Sequence, residues 1–301
     1  AEDKKRKFDP DRKIREAFKN ETGHSLHELQ TYNGELIARR EEIEAIRELF
    51  FKRVIEPRVA VKRRLGRNPQ TEGALLDPNR LAETVIDIAG GVEEPQAFLD
   101  YEHRRAATET VGNTDYYLVI DRSSSMGEEG KAKNAATSTL IFLEGLAGVQ
   151  KDIEEAEAQY GIELDVAIRS SVYGFGDTSV NLKPLGAELN EKERLDSYQA
   201  AKQPLNEGTN DFLALQDIAN EPREDEDRRR IIVVFSDGES NDVEQAGLAV
   251  RALRNSPNTV VYGISIGSDE AVTLYAPDAR RCDDPNDLPG TLEKLLEETL
   301  Q

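Results

Sequence analysis

Residues 119–131 read VIDRSSSMGEEGK. An apolar run ends in an acid, Asp121, and a row of hydroxyls follows, with Ser123 and Ser125 at alternate positions. The residues before it, DYYLVID (115–121), form a short, almost wholly apolar run, which predicts a strand buried on both faces. A buried strand gains nothing in packing from an acid and two spaced hydroxyls at its end. These oxygens need a reason of their own.

Working outward, the downstream chain alternates between two patterns. KNAATSTLIFLEGLAGV (133–149) predicts a long apolar helix, and LDVAIRSSVYGFG (164–176) a strand, with SVNLKPL (179–185) as a short edge strand. NEKERLDSYQAAK (190–202) and DFLALQDIAN (211–220) read as helices, RRRIIVVFSD (228–237) as a second solidly apolar strand. DVEQAGLAVRALRN (242–255) is helical, NTVVYGISIG (258–267) is a third apolar strand, and PNDLPGTLEKLLEETL (285–300) is a terminal helix. Apolar strands alternating with helices predict an α/β class, a doubly wound and mostly parallel sheet, over residues 111–301. The charge run EPREDEDRRR (221–230) reads as an exposed loop entering a strand.

A helical region, residues 1–110, is expected to precede it. Residues 1–30 are polar, with weak helical character. Ile43, Ile46, Phe50 and Val54 recur at three- and four-residue steps and predict one buried helix face. Pro57 should kink or break that helix, and Gly66 should stop it. LLDPNRLAETVIDIAGG (75–91) predicts another helix, capped by Asp77, with Pro78 at its first helical position, Leu81, Val85 and Ile88 facing inward, and Gly90-Gly91 at its end. No strand is expected before Asp115.

In open α/β sheets, ligands bind beyond the carboxyl ends of the strands. Three loops fall there: Asp121, Ser123 and Ser125 after the first strand, Gly208-Thr209-Asn210-Asp211 before a helix, and Ser236-Asp237-Gly238 after the second. They hold carboxylates and hydroxyls and neither histidine nor cysteine. All-oxygen ligation suits a hard divalent cation such as Mg²⁺, with Mn²⁺ able to substitute. Ser123, Ser125 and Thr209 could bind it directly, with Asp121 and Asp237 orienting bound waters.

This pattern resembles the metal-ion-dependent adhesion site of von Willebrand factor A domains, as in integrin I domains, over roughly residues 115–301. The aspartate-x-serine-x-serine motif is Asp121, Ser123 and Ser125; the family's distant threonine matches Thr209, and its later aspartate-glycine matches Asp237-Gly238. The residue between the serines is commonly glycine and here is Ser124. The resemblance implies metal-dependent protein binding, with a partner's Asp or Glu completing the metal, and no chemistry. Upstream, Leu76, Asp77, Arg80 and Leu81 are similar to a Leu-Asp-x-x-Arg-Leu segment of cobaltochelatase large subunits and of other intracellular A-domain proteins that work with MoxR-type AAA+ ATPases. That implies an ATPase partner and a cytoplasmic setting. The chain has no Gly-x-x-x-x-Gly-Lys loop, so it supplies no ATPase itself.

Two rival functions share the pattern. An extracellular adhesin would use the same site. A haloacid-dehalogenase-type phosphotransferase also binds Mg²⁺ after its first strand, but it needs a second carboxylate where this chain has Ser123.

The bulk properties bound these readings. The 301 residues carry a net charge of −20. Residues 1–110 hold 21 basic and 22 acidic residues, which leaves 18 and 37 for residues 111–301. Such acidity argues against duplex nucleic acid as a ligand. The local exception, KRVIEPRVAVKRRLGR (52–67), is read as a basic helix end, with an anionic-partner patch as the alternative. No apolar stretch is long enough to span a membrane. The chain begins at Ala1 and is read as a segment of a longer protein. Cys282 alone allows no internal disulfide. Asp211 and Asp242 read as helix caps, Glu128 and Glu129 as solvated loop residues, and His24, His27 and His103 as surface histidines.

Overall fold

The computed structural model describes residues 10–56, 59, 69–100, 113–128, 130–205, 207–223, 225, 227–238 and 240–299. Pro57, Gly66, His103, Glu129 and most of the basic stretch 52–67 lie outside the described residues. Among the described residues, one compact unit falls within 1–49, 113–150 and 167–301, and a second within 50–112 and 151–166.

The N-terminal stretch is more helical than its composition suggested. Helix α1 spans Pro10–Thr22 and α2 spans Leu26–Ala38. Ser25 fixes the start of α2: its hydroxyl accepts the Glu28 N–H at 3.2 Å, and the Glu28 carboxylate accepts the Ser25 N–H at 2.7 Å. This reciprocal box starts a helix without a broad apolar stripe. His24 is half-buried rather than a surface residue, its Nε2 lying 2.7 Å from Asp196 Oδ1. Helix α3 (Arg40–Phe50) carries the expected face, with Ile43, Ile46 and Phe50 buried, and a π-helical turn, Phe51–Ile55, follows with Val54 buried.

In the second unit, β1 (Leu75–Leu76) comes first, followed by α4 (Leu81–Ala89) and β2 (Phe98–Leu99). β1 and β2 pair antiparallel, so the expectation of no strand before Asp115 is corrected. Helix α4 starts later than expected. Asp77 holds a turn by accepting the Asn79 N–H, and the cap position falls to Arg80. Its anticipated inner stripe is also reversed: Leu81, Val85 and Ile88 are exposed, while Thr84 is buried. Periodicity marks an apolar face but not what covers it. Gly90 caps the helix and Gly91 follows at φ +88°, as the paired glycines predicted.

The remaining elements build the sheet: β3 (Thr114–Asp121), α5 (Lys131–Tyr160), β4 (Ile168–Phe175), β5 (Ser179–Gly186), α6 (Glu191–Lys202), α7 (Asp211–Asn220), β6 (Arg229–Ser236), α8 (Val243–Arg254), β7 (Thr259–Ser265), α9 (Glu270–Leu274), β8 (Ala279–Arg281) and α10 (Leu288–Thr299). The strand order is β5-β4-β3-β6-β7-β8, parallel throughout except for β5, which runs antiparallel at one edge. This is the expected doubly wound, mostly parallel α/β sheet, with a helical region before it.

Every residue of β3 is buried. Tyr117 and Val119 face one core with Ile232, Val234, Leu215 and Leu253, while Tyr116 turns the other way, its ring 6.1 Å from that of Phe142 on α5. Helix α3 meets α5 where small residues allow it. A Cβ on Gly145 would lie 2.6 Å from Ile46 Cγ2, and one on Gly148 2.5 Å from Arg47 Cδ.

The charge run before β6 is not wholly a loop surface, because Arg228 and Arg230 are buried. Arg228 Nε and Arg169 Nε each donate to Asp115 Oδ1 at 2.8 Å, and Arg169 Nη2 donates to Oδ2. A cavity of about 300 Å³ opens beside them, at the amino ends of the strands. On β5, Lys183 is fully buried, and its ammonium donates to the carbonyls of Ser170, Pro184 and Gly186 at 2.7, 3.3 and 3.1 Å. Among the described residues no helix is long and apolar enough to cross a membrane.

Candidate metal centre

The chain leaves β3 to one side of the sheet, for β4, and later returns on the other side, at β6. Adjacent parallel strands that lead away in opposite directions open a crevice at their carboxyl ends. Asp121 closes β3 and Ser236 closes β6 at that point, and Asp237 is the next residue.

The loop after β3 is shaped by its own short side chains. Asp121 Oδ1 accepts the Ser123 N–H at 2.8 Å, a turn that acids of this length favour. Residues Ser124–Gly127 then make a single 3-10 turn, anchored by the buried Met126. This brings the alternate serines together, with Ser123 Oγ 3.0 Å from Ser125 Oγ. Ser125 Oγ donates to Asp237 Oδ1 at 2.8 Å, and Ser236 Oγ donates to Asp121 Oδ2 at 2.5 Å. Asp121, Ser123 and Asp237 are buried, and Ser124 points to solvent.

Four of the five expected residues therefore form one hydrogen-bonded cluster: Asp121, Ser123, Ser125 and Asp237. Thr209 is buried and reaches the neighbourhood through backbone. Its carbonyl accepts the Asn241 N–H at 2.8 Å, which ties the loop before α7 to the loop after β6. The same loop is tied to β3's end, where Leu205 N–H donates to Arg122 O and Ser124 N–H donates to Glu207 O. Gly208 lets the Asn241 side chain pack close here, since a Cβ would lie 2.2 Å from Asn241 Nδ2 and would push that exposed side chain aside.

Two residues of the cluster were not foreseen. Ser236 orients Asp121, and Lys131, the first residue of α5, places its ammonium 2.7 Å from Asp237 Oδ2. A lysine at a helix N-terminus opposes the helix dipole, and that oddity was the available signal. The cap position of α7 falls to Asn210, and Asp211 sits one residue inside it: its Oδ1 accepts the first-turn Phe212 N–H at 2.9 Å, while its Oδ2 is buried and accepts from Tyr275 Oη at 2.5 Å. Asp242 caps α8 by accepting the Gln245 N–H.

Burial pushes the Asp121 carboxyl up to about 6, with the Asp237 charge adding to it and the donors Ser123 and Ser236 opposing it. Among the described residues no group of three or more histidines, cysteines and acids is placed to hold a metal. The donor set is instead two carboxylates with serine hydroxyls. That fits a hard cation needing few carboxylates and does not fit zinc of the cysteine–histidine kind.

The sequence profile of the von Willebrand factor type A domain matches residues 115–276. Similar solved structures include proximal thread matrix protein 1 from the mussel byssus, at 16% identity and a TM-score of 0.45, covering 63% of this chain and 48% of that one. They also include the ArnB paralog VWA2 from Sulfolobus acidocaldarius, at 20% identity and a TM-score of 0.39, covering 61% and 45%. The chain thus spans about half the length of these proteins. No curated protein gives a sequence match. With the profile covering more than half of its residues, the chain belongs to the von Willebrand factor type A domain family.

Proposed function

We propose that residues 111–301 are a metal-dependent protein-binding domain. A divalent cation, Mg²⁺ or Mn²⁺ in its place, is held by Ser123, Ser125 and Thr209, with Asp121 and Asp237 behind waters. Domains of this family are commonly metal-dependent interaction or adhesion modules and generally non-catalytic. The observation that carries the reading is the continuous run Ser123–Ser125–Asp237 across the ends of two adjacent strands, with Asp121 set by Ser236. Hydroxyl ligands neutralise little of the cation's charge, so it stays electrophilic toward an Asp or Glu of a partner protein.

The partner we propose is an AAA+ ATPase of the MoxR or chelatase type, in the cytoplasm, with this chain as a non-catalytic subunit. The support is the upstream Leu76-Asp77-x-x-Arg80-Leu81 segment, in which Leu76 and Leu81 are exposed.

Calorimetry with Mg²⁺ and Mn²⁺ tests the site. Binding that Asp121→Ala removes, with the circular dichroism spectrum retained, is expected; heat that does not depend on Asp121 would sink the reading. Phosphoester turnover lost in the same variant would point to an enzyme instead. An ATPase that copurifies in Mg²⁺ and is released by chelator would bear out the partner.

A further inference from the structure

We infer that Lys131 is a resident counter-charge of the cation site, which makes tight metal binding depend on the arrival of a partner's carboxylate. This rests on the cation-site reading of Asp121, Ser123, Ser125, Thr209 and Asp237.

Both oxygens of Asp237 are engaged, Oδ1 by Ser125 and Oδ2 by the Lys131 ammonium at 2.7 Å. The acid is almost fully buried, and the lysine side chain is only 16% exposed. Lys131 is placed there by the fold. Its stem crosses Gly267, just beyond β7, where a Cβ would meet the lysine Cε at 3.0 Å. Gly267 is held at φ +83° and its N–H donates to Asp283 Oδ1 at 2.7 Å, while Asp283 is paired with Arg281. Lysine at the first position of a 30-residue helix meets the positive end of the dipole, so local helix energetics do not favour it. Asp237 is a favourable partner that offsets this.

The charges then decide the behaviour. Asp121, Asp237 and Lys131 sum to −1, so a bound dication leaves the cluster at +1. One carboxylate from outside returns it to zero. Without Lys131 the two aspartates would neutralise the dication alone, and an acidic partner would gain less by arriving. Linkage makes the effect reciprocal: a carboxylate that binds the loaded site tightens the metal by the same factor.

The test uses the full chain and Mn²⁺, titrated by calorimetry and by electron paramagnetic resonance, in sodium acetate and in sodium chloride of equal ionic strength. In the wild type, acetate should tighten Mn²⁺ by about tenfold, a typical coupling. Lys131→Met should bind Mn²⁺ about tenfold more tightly than wild type in chloride and lose most of the acetate gain. Lys131→Arg, which keeps the charge, should behave as wild type. In chelator, Lys131→Met should melt at a lower temperature than wild type, because Asp237 loses its ammonium; if it does not fold, Lys131→Gln takes its place. Equal affinities in chloride, or an equal acetate gain in both proteins, overturns the inference while the cation site stands. Absence of any Asp121-dependent Mn²⁺ binding in the wild type overturns both.

Discussion

Ser236 Oγ stands 2.5 Å from Asp121 Oδ2, so the last residue of β6 orients the last residue of β3. With the Ser123 N–H on the other oxygen, the carboxylate is held at both ends. Ser236→Ala removes one holder without touching a proposed ligand. Mn²⁺ affinity should fall by about 10–100-fold, the usual effect of losing an outer hydrogen bond at a metal site. Unfolding free energy should fall by about 1–3 kcal/mol, since a buried carboxylate loses a donor. Unchanged affinity by calorimetry would mean that Asp121 needs no such orientation.

Tyr275 Oη and Asp211 Oδ2 form a second buried pair, 64 residues apart in sequence, at the start of α7. Tyr275→Phe should cost about 1–3 kcal/mol at neutral pH, read from the urea midpoint. Burial holds the Asp211 carboxyl above its ordinary value, so the folded state takes up this proton more readily than the unfolded chain. Its stabilising share is present in acid and is lost as pH rises through the folded value. The deficit of Tyr275→Phe should therefore shrink on acidification, as the carboxyl comes to need the tyrosine less. A deficit that grows in acid would contradict the assignment.

Gly145→Ala separates packing from propensity. On an exposed helix the change would gain about 1 kcal/mol. Here the new methyl meets Ile46, which is fully buried, and overpacking should cost about 1–3 kcal/mol. Combining it with Ile46→Ala should relieve part of that cost, a coupling that a double-mutant cycle reads directly. A stabilised single variant would mean that α3 does not dock at Gly145.

Cys282 follows β8 and is buried, and that burial pushes its thiol up to about 11. Only the thiolate reacts, so iodoacetamide at pH 8 should label the folded chain about a hundredfold more slowly than the urea-unfolded chain. Folded-state labelling should accelerate as pH is raised toward 11. Equal rates in the two states would show the thiol to be open to solvent.

The sheet was legible because its central strands are buried on both faces. Ile231–Phe235 and Tyr116–Ile120 leave no polar position to blur the pattern, and acids directly after such runs stand out. Helix α2, which the reading underrated, owes its start to Ser25 and Glu28, a local signal present in the sequence, and not to an apolar stripe. Other errors have long-range causes. Asp211 has the composition of a cap, yet Asn210 takes that position and Tyr275 claims one of the aspartate's oxygens; Lys131 looks solvent-bound, yet it pairs with an acid 106 residues away. The face of α4 was visible as a periodicity, but no periodicity states which side meets the core.

Lys183 bears on how copies of this domain behave at high concentration. β5 is the sheet's antiparallel edge, and an edge strand normally offers its free amides and carbonyls to any chain that comes near. Here the carbonyls of Pro184 and Gly186 are already given to the Lys183 ammonium, and Pro184 has no amide hydrogen to offer. A strand approaching this margin finds a broken row of partners. The buried lysine thereby gives this edge of the sheet a built-in resistance to growing into a neighbour.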